Sequence, residues 1–190
     1  DGVVIVQYHL PVVIARGRSD WIVRWDEDAL FSRKGATPAD RMRVMFVGCP
    51  KMPKECQFNE SGAFSRESLT LALKRYRCMP VFLGNDPGDL YHQSFCEGIL
   101  RKSMHNLIDV YGPLHMDLWR KGWNSYSAMN NKFADKVVET FSEGDIIWIH
   151  GYELLILPSS LARRLQSRCH IGLYLHIPFP SSEIFRTLPF

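Results

Sequence analysis

A chain of 190 residues, 46% of them hydrophobic, is long enough to bury one full core. A formal net charge of +3, spread along the chain, excludes the concentrated cationic stripe of a nucleic-acid-binding surface. No apolar run approaches the roughly 18 residues that span a bilayer, so no membrane is implied, and no secretory leader is visible at the start. The five cysteines (Cys49, Cys56, Cys78, Cys96 and Cys169) are odd in number, contain no C-x-x-C pair and fit no zinc framework. They read as reduced, mostly buried thiols of a cytoplasmic protein that needs no metal and no cofactor.

In chain order, Val3 to Val6 is a β-branched run suited to a buried strand, and Gln7 to Pro11 opens a loop at its carboxyl end. Trp21 to Trp25 alternates apolar and polar, as a half-exposed strand or hairpin arm does. Asp26 to Asp28 can cap a short helix running to Lys34, with Gly35 as its stop. Val44 to Val47 is a second buried strand, followed by a loop over 49–64. Ser65 caps a helix to Arg77 that carries Leu69, Leu73 and Tyr76 on one face. A short strand at 80–83 precedes a helical stretch from Asp89 to about Asp109, which Gly112-Pro113 ends.

The longest periodic segment runs from Asp117 to Phe141, with Trp119, Trp123, Tyr126, Asn130, Phe133 and Val137 three or four apart. A strand at 145–150 ends in His150. A helix from Tyr152 or Pro158 to Gln166 follows, then a strand at 170–175 running into His176, and a new helix near Ser181. Arg163, Arg164 and Arg168 read as a solvated helix face. Strands alternating with helices, and a final β-α-β crossover, predict an α/β fold: a Rossmann-like, mainly parallel sheet with helices on both faces. Ligands of such sheets bind at the carboxyl ends of strands, where both histidines stand. The chain opens inside one apolar run and stops just past Leu188-Pro189, which reads as a pair of fragment boundaries.

Several segments carry a family resemblance. Trp148-Ile-His-Gly-Tyr-Glu-Leu stands where trehalose-6-phosphate synthases read roughly W-I/V-H-D-Y-H-L, and Leu175-His-Ile-Pro-Phe-Pro-Ser-Ser-Glu-Ile184 matches their L-H-I/S-P-F-P-S-S-E-I. Leu10-Pro11 matches an N-R-L-P or N-Q-L-P loop, Trp25-Asp-Glu-Asp28 a W-D-E-D segment of plant-type relatives, and Pro80-Val-Phe-Leu83 a P-V-F-L. Phe95-Cys96 and the W-x-x-Y-x-x-x-N and F-A-D-K-V segments of Trp123 to Val137 follow in the same order.

The sequence therefore resembles the acceptor-side, N-terminal domain of these retaining two-domain glycosyltransferases. The resemblance implies the N-terminal half of a GT-B architecture over 1–190, with a donor-binding domain after residue 190. It implies glucosyl transfer from UDP-glucose to glucose-6-phosphate in trehalose biosynthesis. It places His176 against the donor sugar, as the catalytic contact, and Trp123, His150 and Tyr152 at the substrate, with Pro178 and Pro180 stiffening the turn after His176.

The departures from the pattern fall at the acceptor. The motif aspartate is Gly151, and the histidine two residues on is Glu153, which on a helix would point elsewhere. His9 replaces the arginine of N-R-L-P, Tyr8 its asparagine, and Asn106 a phosphate-reaching tyrosine. The Gly-Gly loop that wraps the donor phosphates has no counterpart in 12–35, while Arg101 and Lys102 are new cations nearby. His9, Asn106 and Gly151 are thus substituted substrate-binding positions, and the site reads as degenerate. The alternative is a non-catalytic regulatory or structural domain, with trehalose synthase or phosphatase subunits, or a fused phosphatase domain, as partners.

Overall fold

The computed structural model describes residues 2–29, 42–52, 58–84, 92–105, 107, 116–166 and 169–185. Its strands are β1 (Gly2–His9), β2 (Val12–Arg16), β3 (Trp21–Trp25), β4 (Arg43–Cys49), β5 (Cys78–Pro80), β6 (Ile146–His150) and β7 (His170–Tyr174). The helices are α1 (Arg66–Lys74), α2 (Arg101–Met104), α3 (Met116–Thr140), α4 (Leu157–Leu165) and α5 (Ser182–Phe185).

Five strands form one sheet in the order β5-β4-β1-β6-β7, and every neighbouring pair in it is parallel. The chain builds outward from β1 to β5 on one side and then to β7 on the other. The strand order therefore reverses beside β1, which is where such sheets open a crevice at their carboxyl ends. The α/β, mainly parallel architecture expected from the sequence is the one observed.

Both sheet faces are covered, for reasons visible in the strand alternation. Val4, Val6, Ile147 and Ile149 face one way, against Phe133 and Val137 of α3 and Leu157 and Leu161 of α4. Ile5, Val44 and Phe46 face the other, against Val12, Ile14, Trp21 and Val23 of the β2–β3 hairpin and Leu69 and Leu73 of α1. Each such aliphatic side chain contributes roughly 1.5–3 kcal/mol by leaving water. Past the hairpin, Trp148 and Tyr174 stay exposed on the second face. At the amino edge, the buried Asp145 accepts from Arg43 and from the Ser142 backbone, and this ties the start of β6 to β4.

Local expectations differ from the outcome in four places. The segment 7–9 is strand, not loop: β1 runs to His9 across a register shift after Val6, because its partner β4 continues to Cys49. Val12–Arg16 forms an antiparallel hairpin with Trp21–Trp25, which itself alternates as expected. The short strand lies at Cys78–Pro80, earlier than 80–83, although Val81 N–H still reaches Gly48 O at 2.8 Å. The first helix stops at Lys74 instead of Arg77, where the backbone turns left-handed (φ 56°).

Ser65 caps α1 as expected, its side chain accepting from Ser68 N–H. The helical stretch before Gly112 is present at 92–104, widened to a π-helical turn over Cys96–Leu100. The proposed Asp28–Lys34 helix lies mostly outside the described residues.

Candidate functional site

The carboxyl edge of the sheet carries two clusters, one on each side of β1. The first is at the end of β6. His150 is its last residue, only 4% exposed, and its Nδ1 lies 3.2 Å from Nε2 of His176. The two rings stack at 23°, with centroids 5.3 Å apart. Trp148 and Tyr174 frame them, at 4.6 Å and 5.9 Å from His150.

The pair is positioned by strand register: His150 pairs with Tyr174 of β7, and Gly151 N–H donates to Tyr174 O. Burial first, and the charge of His176 second, lower the His150 pKa to about 4, so the imidazole is neutral near pH 7. A neutral ring can donate from one nitrogen and accept at the other, the pairing needed for exchange with a hydroxyl.

The second cluster sits at the ends of β1 and β4. Tyr8 Oη lies 2.7 Å from Nε2 of His92, which is 1% exposed and donates its backbone N–H to Ser125. His9 packs edge-on to Tyr8. Desolvation, with the nearby Lys51 charge, lowers the His9 pKa. Tyr8, His9, Lys51, Phe82, His92 and Gln93 line an open cavity of about 260 Å³.

Between the clusters lies the 3₁₀ turn Tyr152–Leu154. It opens at Gly151, whose φ of 92° and ψ of 159° belong to a region reserved for glycine. The turn is held by α3. Tyr126 Oη donates to Tyr152 O at 3.0 Å and accepts from Leu155 N–H at 3.1 Å, and Asn130 Nδ2 donates to Tyr126 O and Glu153 O. Gly151 precedes the turn in a non-helical conformation, so the helical i, i+2 divergence does not apply between it and Glu153. Its carboxylate folds back over Gly151, so that a Cβ built on Gly151 would overlap Oε2.

The structure brings His9, His150, Gly151, Tyr152 and His176 to one edge. Trp123 is half-buried in an aromatic ladder, stacked on Trp119 and touching Phe95 and Tyr126. Asn106 lies outside the described residues. Arg101 pairs with Glu97 at 3.0 Å, and Arg164 pairs with Asp135 on an exposed face.

Sequence reading missed His92, Ser125 and the turn-holding roles of Tyr126 and Asn130. The W-x-x-Y-x-x-x-N spacing, which puts Trp123, Tyr126 and Asn130 on one helix face, was the available signal for the last two. Cys49, Cys78 and Cys96 are buried and Cys169 half-buried, all as free thiols, and burial pushes Cys49 and Cys78 up to about 12. Among the described residues no helix is long and apolar enough to cross a membrane, and no group of three His, Cys, Asp or Glu could hold a metal ion.

A parallel sheet whose order reverses beside a carboxyl-edge pair of histidines defines the chain as an α/β domain. The profile of Glycosyltransferase family 20 matches residues 1–190 in full, and the chain belongs to that family. It is 35% identical over 171 residues to alpha,alpha-trehalose-phosphate synthase (UDP-forming) 6 of Arabidopsis thaliana, a match that covers 89% of this chain and 19% of the relative. Among solved structures it is similar to the N-terminal domain of a Candida albicans trehalose-6-phosphate phosphatase, at TM-score 0.63 and 26% identity, covering 98% of this chain and 36% of that one. An alpha,alpha-trehalose-phosphate synthase (UDP-forming) from Burkholderia vietnamiensis shares the fold, at TM-score 0.61 and 21% identity, covering 99% and 37%. The chain thus spans about a fifth of the length of its plant relative.

Proposed function

We propose that the chain is the acceptor-side domain of a trehalose-6-phosphate synthase-type glycosyltransferase of the cytoplasm, with a degenerate acceptor site. UDP-glucose and glucose-6-phosphate are the substrates of this reading. The donor-binding half of the GT-B pair belongs to the rest of a longer protein, so this domain by itself turns nothing over. The observation that carries the reading is the stacked His150–His176 pair at 3.2 Å on the carboxyl edge, on two motifs of the family. His176 contacts the donor sugar, while His150, Tyr152 and Trp123 form the substrate wall. His9, Asn106 and Gly151 are the positions where acceptor contacts are missing.

A second reading is a non-catalytic regulatory or structural domain of a trehalose synthase or phosphatase protein or complex. The likeness to the N-terminal domain of a phosphatase favours it, since a synthase-like fold there sits in a protein named for another activity.

The test is calorimetry of the full-length parent with glucose-6-phosphate, together with UDP release from UDP-glucose. A hydrogen bond to a charged phosphate contributes roughly 1.5–3 kcal/mol, so loss of the arginine contact alone weakens binding about tenfold or more. Weak acceptor binding and little or no turnover are expected. Tight binding, or ordinary turnover, would overturn the degenerate reading.

A further inference from the structure

The substitution of Gly151 leaves the edge of β6 without a side chain, but not without a carboxylate. Glu153 Oε2 occupies the space a Gly151 side chain would enter, with Cδ 3.6 Å from the Cβ position. The turn that carries it is not a free loop. The backbone that carries it is fastened by Asn130 Nδ2 at 3.1 Å, and the neighbouring Tyr152 carbonyl by Tyr126 at 3.0 Å.

The carboxylate is also poorly compensated. Burial, and the nearby Glu97 acid, raise its pKa, while its own backbone N–H partly offsets them. No cation pairs with it among the described residues. A half-buried acid without a cation is costly to hold, and a structural cap at that turn would do as well with a neutral amide. Its electrostatic neighbours are Tyr8 at the cavity and Tyr152, Tyr126 and Cys96, none of which supplies positive charge. What suits an acid in such a place is a ligand with donor hydroxyls and no carboxylate at that end.

Resting on the sugar-phosphate reading above, we infer that Glu153 is a specificity residue of the ligand site: its carboxylate, folded into the space left by Gly151, accepts hydroxyl hydrogen bonds from a bound hexose. The sugar end of the acceptor site is then rebuilt from a different residue, and the deficit is confined to the phosphate end, around His9. Such a site discriminates weakly between glucose and glucose-6-phosphate, because the part that recognises hydroxyls survives and the part that recognises the phosphate does not.

Ligand-observed NMR titration of the full-length protein with glucose and with glucose-6-phosphate tests this, using wild type, Glu153→Gln and Glu153→Ala. Both sugars should bind wild type with affinities within about tenfold of each other. Glu153→Gln should weaken both at least tenfold with an unchanged melting temperature. Wild-type affinity should also fall as pH drops and the acid is protonated, and this fall should be smaller in Glu153→Gln, where only the site histidines His9, His150 and His176 still take up protons. The other groups facing Glu153 are the acid Glu97 and the weak acids Tyr8, Cys96, Tyr126 and Tyr152.

Glu153→Gln that binds both sugars as wild type does, or that binds less but keeps the same pH profile, overturns the assignment and leaves the family reading standing. A lowered melting temperature in Glu153→Ala with intact sugar binding reduces Glu153 to a cap of the turn. A wild-type protein that binds neither sugar overturns this inference and leaves the degenerate reading standing.

Discussion

The two clusters on the carboxyl edge are built by the same physics and read very differently. At the end of β6, motif and geometry agree: His150 and His176 meet at 3.2 Å, one buried at the end of β6 and one on the turn after β7. At the end of β1, the motif departs and the geometry follows it. Tyr8 and His9 stand where the resemblance expects an amide and a cation, and Tyr8 is spent on a 2.7 Å contact with His92. A phenol tied to a buried imidazole carries no positive charge, which leaves Lys51 as the cation of that cavity. On the proposed reading, the β6 end keeps groups suited to a sugar, while the β1 end offers a phosphate Lys51 but no arginine. Substitutions at one strand end can change ligand preference while leaving the fold, and the neighbouring strand end, untouched.

The most disruptive way to break this contrast is at Gly151. Restoring a side chain there asks a residue with a Cβ to adopt φ 92° and to displace Glu153. Gly151→Ala should lower the free energy of unfolding by about 3 kcal/mol, the upper end for strain in that region, as measured by urea denaturation. Gly151→Asp should fare no better, and so should not restore a synthase-like acceptor site. A stable, tighter-binding Gly151→Asp protein would show that the turn is not what displaces the motif carboxylate.

Next comes the support of the turn. Tyr126→Phe leaves Tyr152 O and Leu155 N–H without their partner at a site 1% exposed. It should cost about 2 kcal/mol by denaturation, and faster hydrogen exchange should be confined to the turn after β6. Sugar affinity should drop with it, since Glu153 rides on that turn. A smaller effect is expected at the other cluster. His9→Arg returns one cation to the cavity and should tighten glucose-6-phosphate, but not glucose, by about tenfold in calorimetry. Equal gains for both sugars would mean that the arginine does not reach a phosphate.

The β-branched runs at Val3–Val6, Val44–Val47 and 145–150 announced the buried parallel strands, since parallel sheets covered on both faces carry near-continuous apolar sequence. Ser65, and the periodicity of Tyr126, Phe133 and Val137, marked α1 and α3. Val12–Arg16 escaped because its pattern is short and follows Pro11, and its strand character comes from pairing with Trp21–Trp25. Cys78–Pro80 escaped because neither cysteine nor methionine advertises a strand. In the site, strand-end placement made His150 and His176 legible. Glu153 was misread, because the i, i+2 argument assumes that both residues are helical and Gly151 stands before the turn at φ 92°. The Tyr8–His92 contact joins residues 84 apart, which local pattern does not reach.

The gentlest probe is pH, and it isolates the β6 cluster. The His150 pKa falls from 6.5 to about 4 on folding, chiefly because the imidazole is buried and then because His176 repels a second charge. The unfolded chain therefore binds a proton between those values and the folded one does not. By linkage, this contribution to stability is fully present above pH 6.5, falls as pH drops below it, and is gone near pH 4. The urea midpoint of wild type should decline across that window more steeply than that of His150→Asn, which has nothing to protonate there. The Glu153 carboxyl opposes the trend. The Glu153 pKa is raised, so below it the folded state binds the extra proton and gains relative stability as pH falls. The difference between wild type and His150→Asn removes that shared background. A wild-type midpoint that is flat from pH 6.5 to 4 relative to His150→Asn would mean that His150 accepts a proton in the folded state. A neutral His150 would then not describe the site at the pH where sugar is bound.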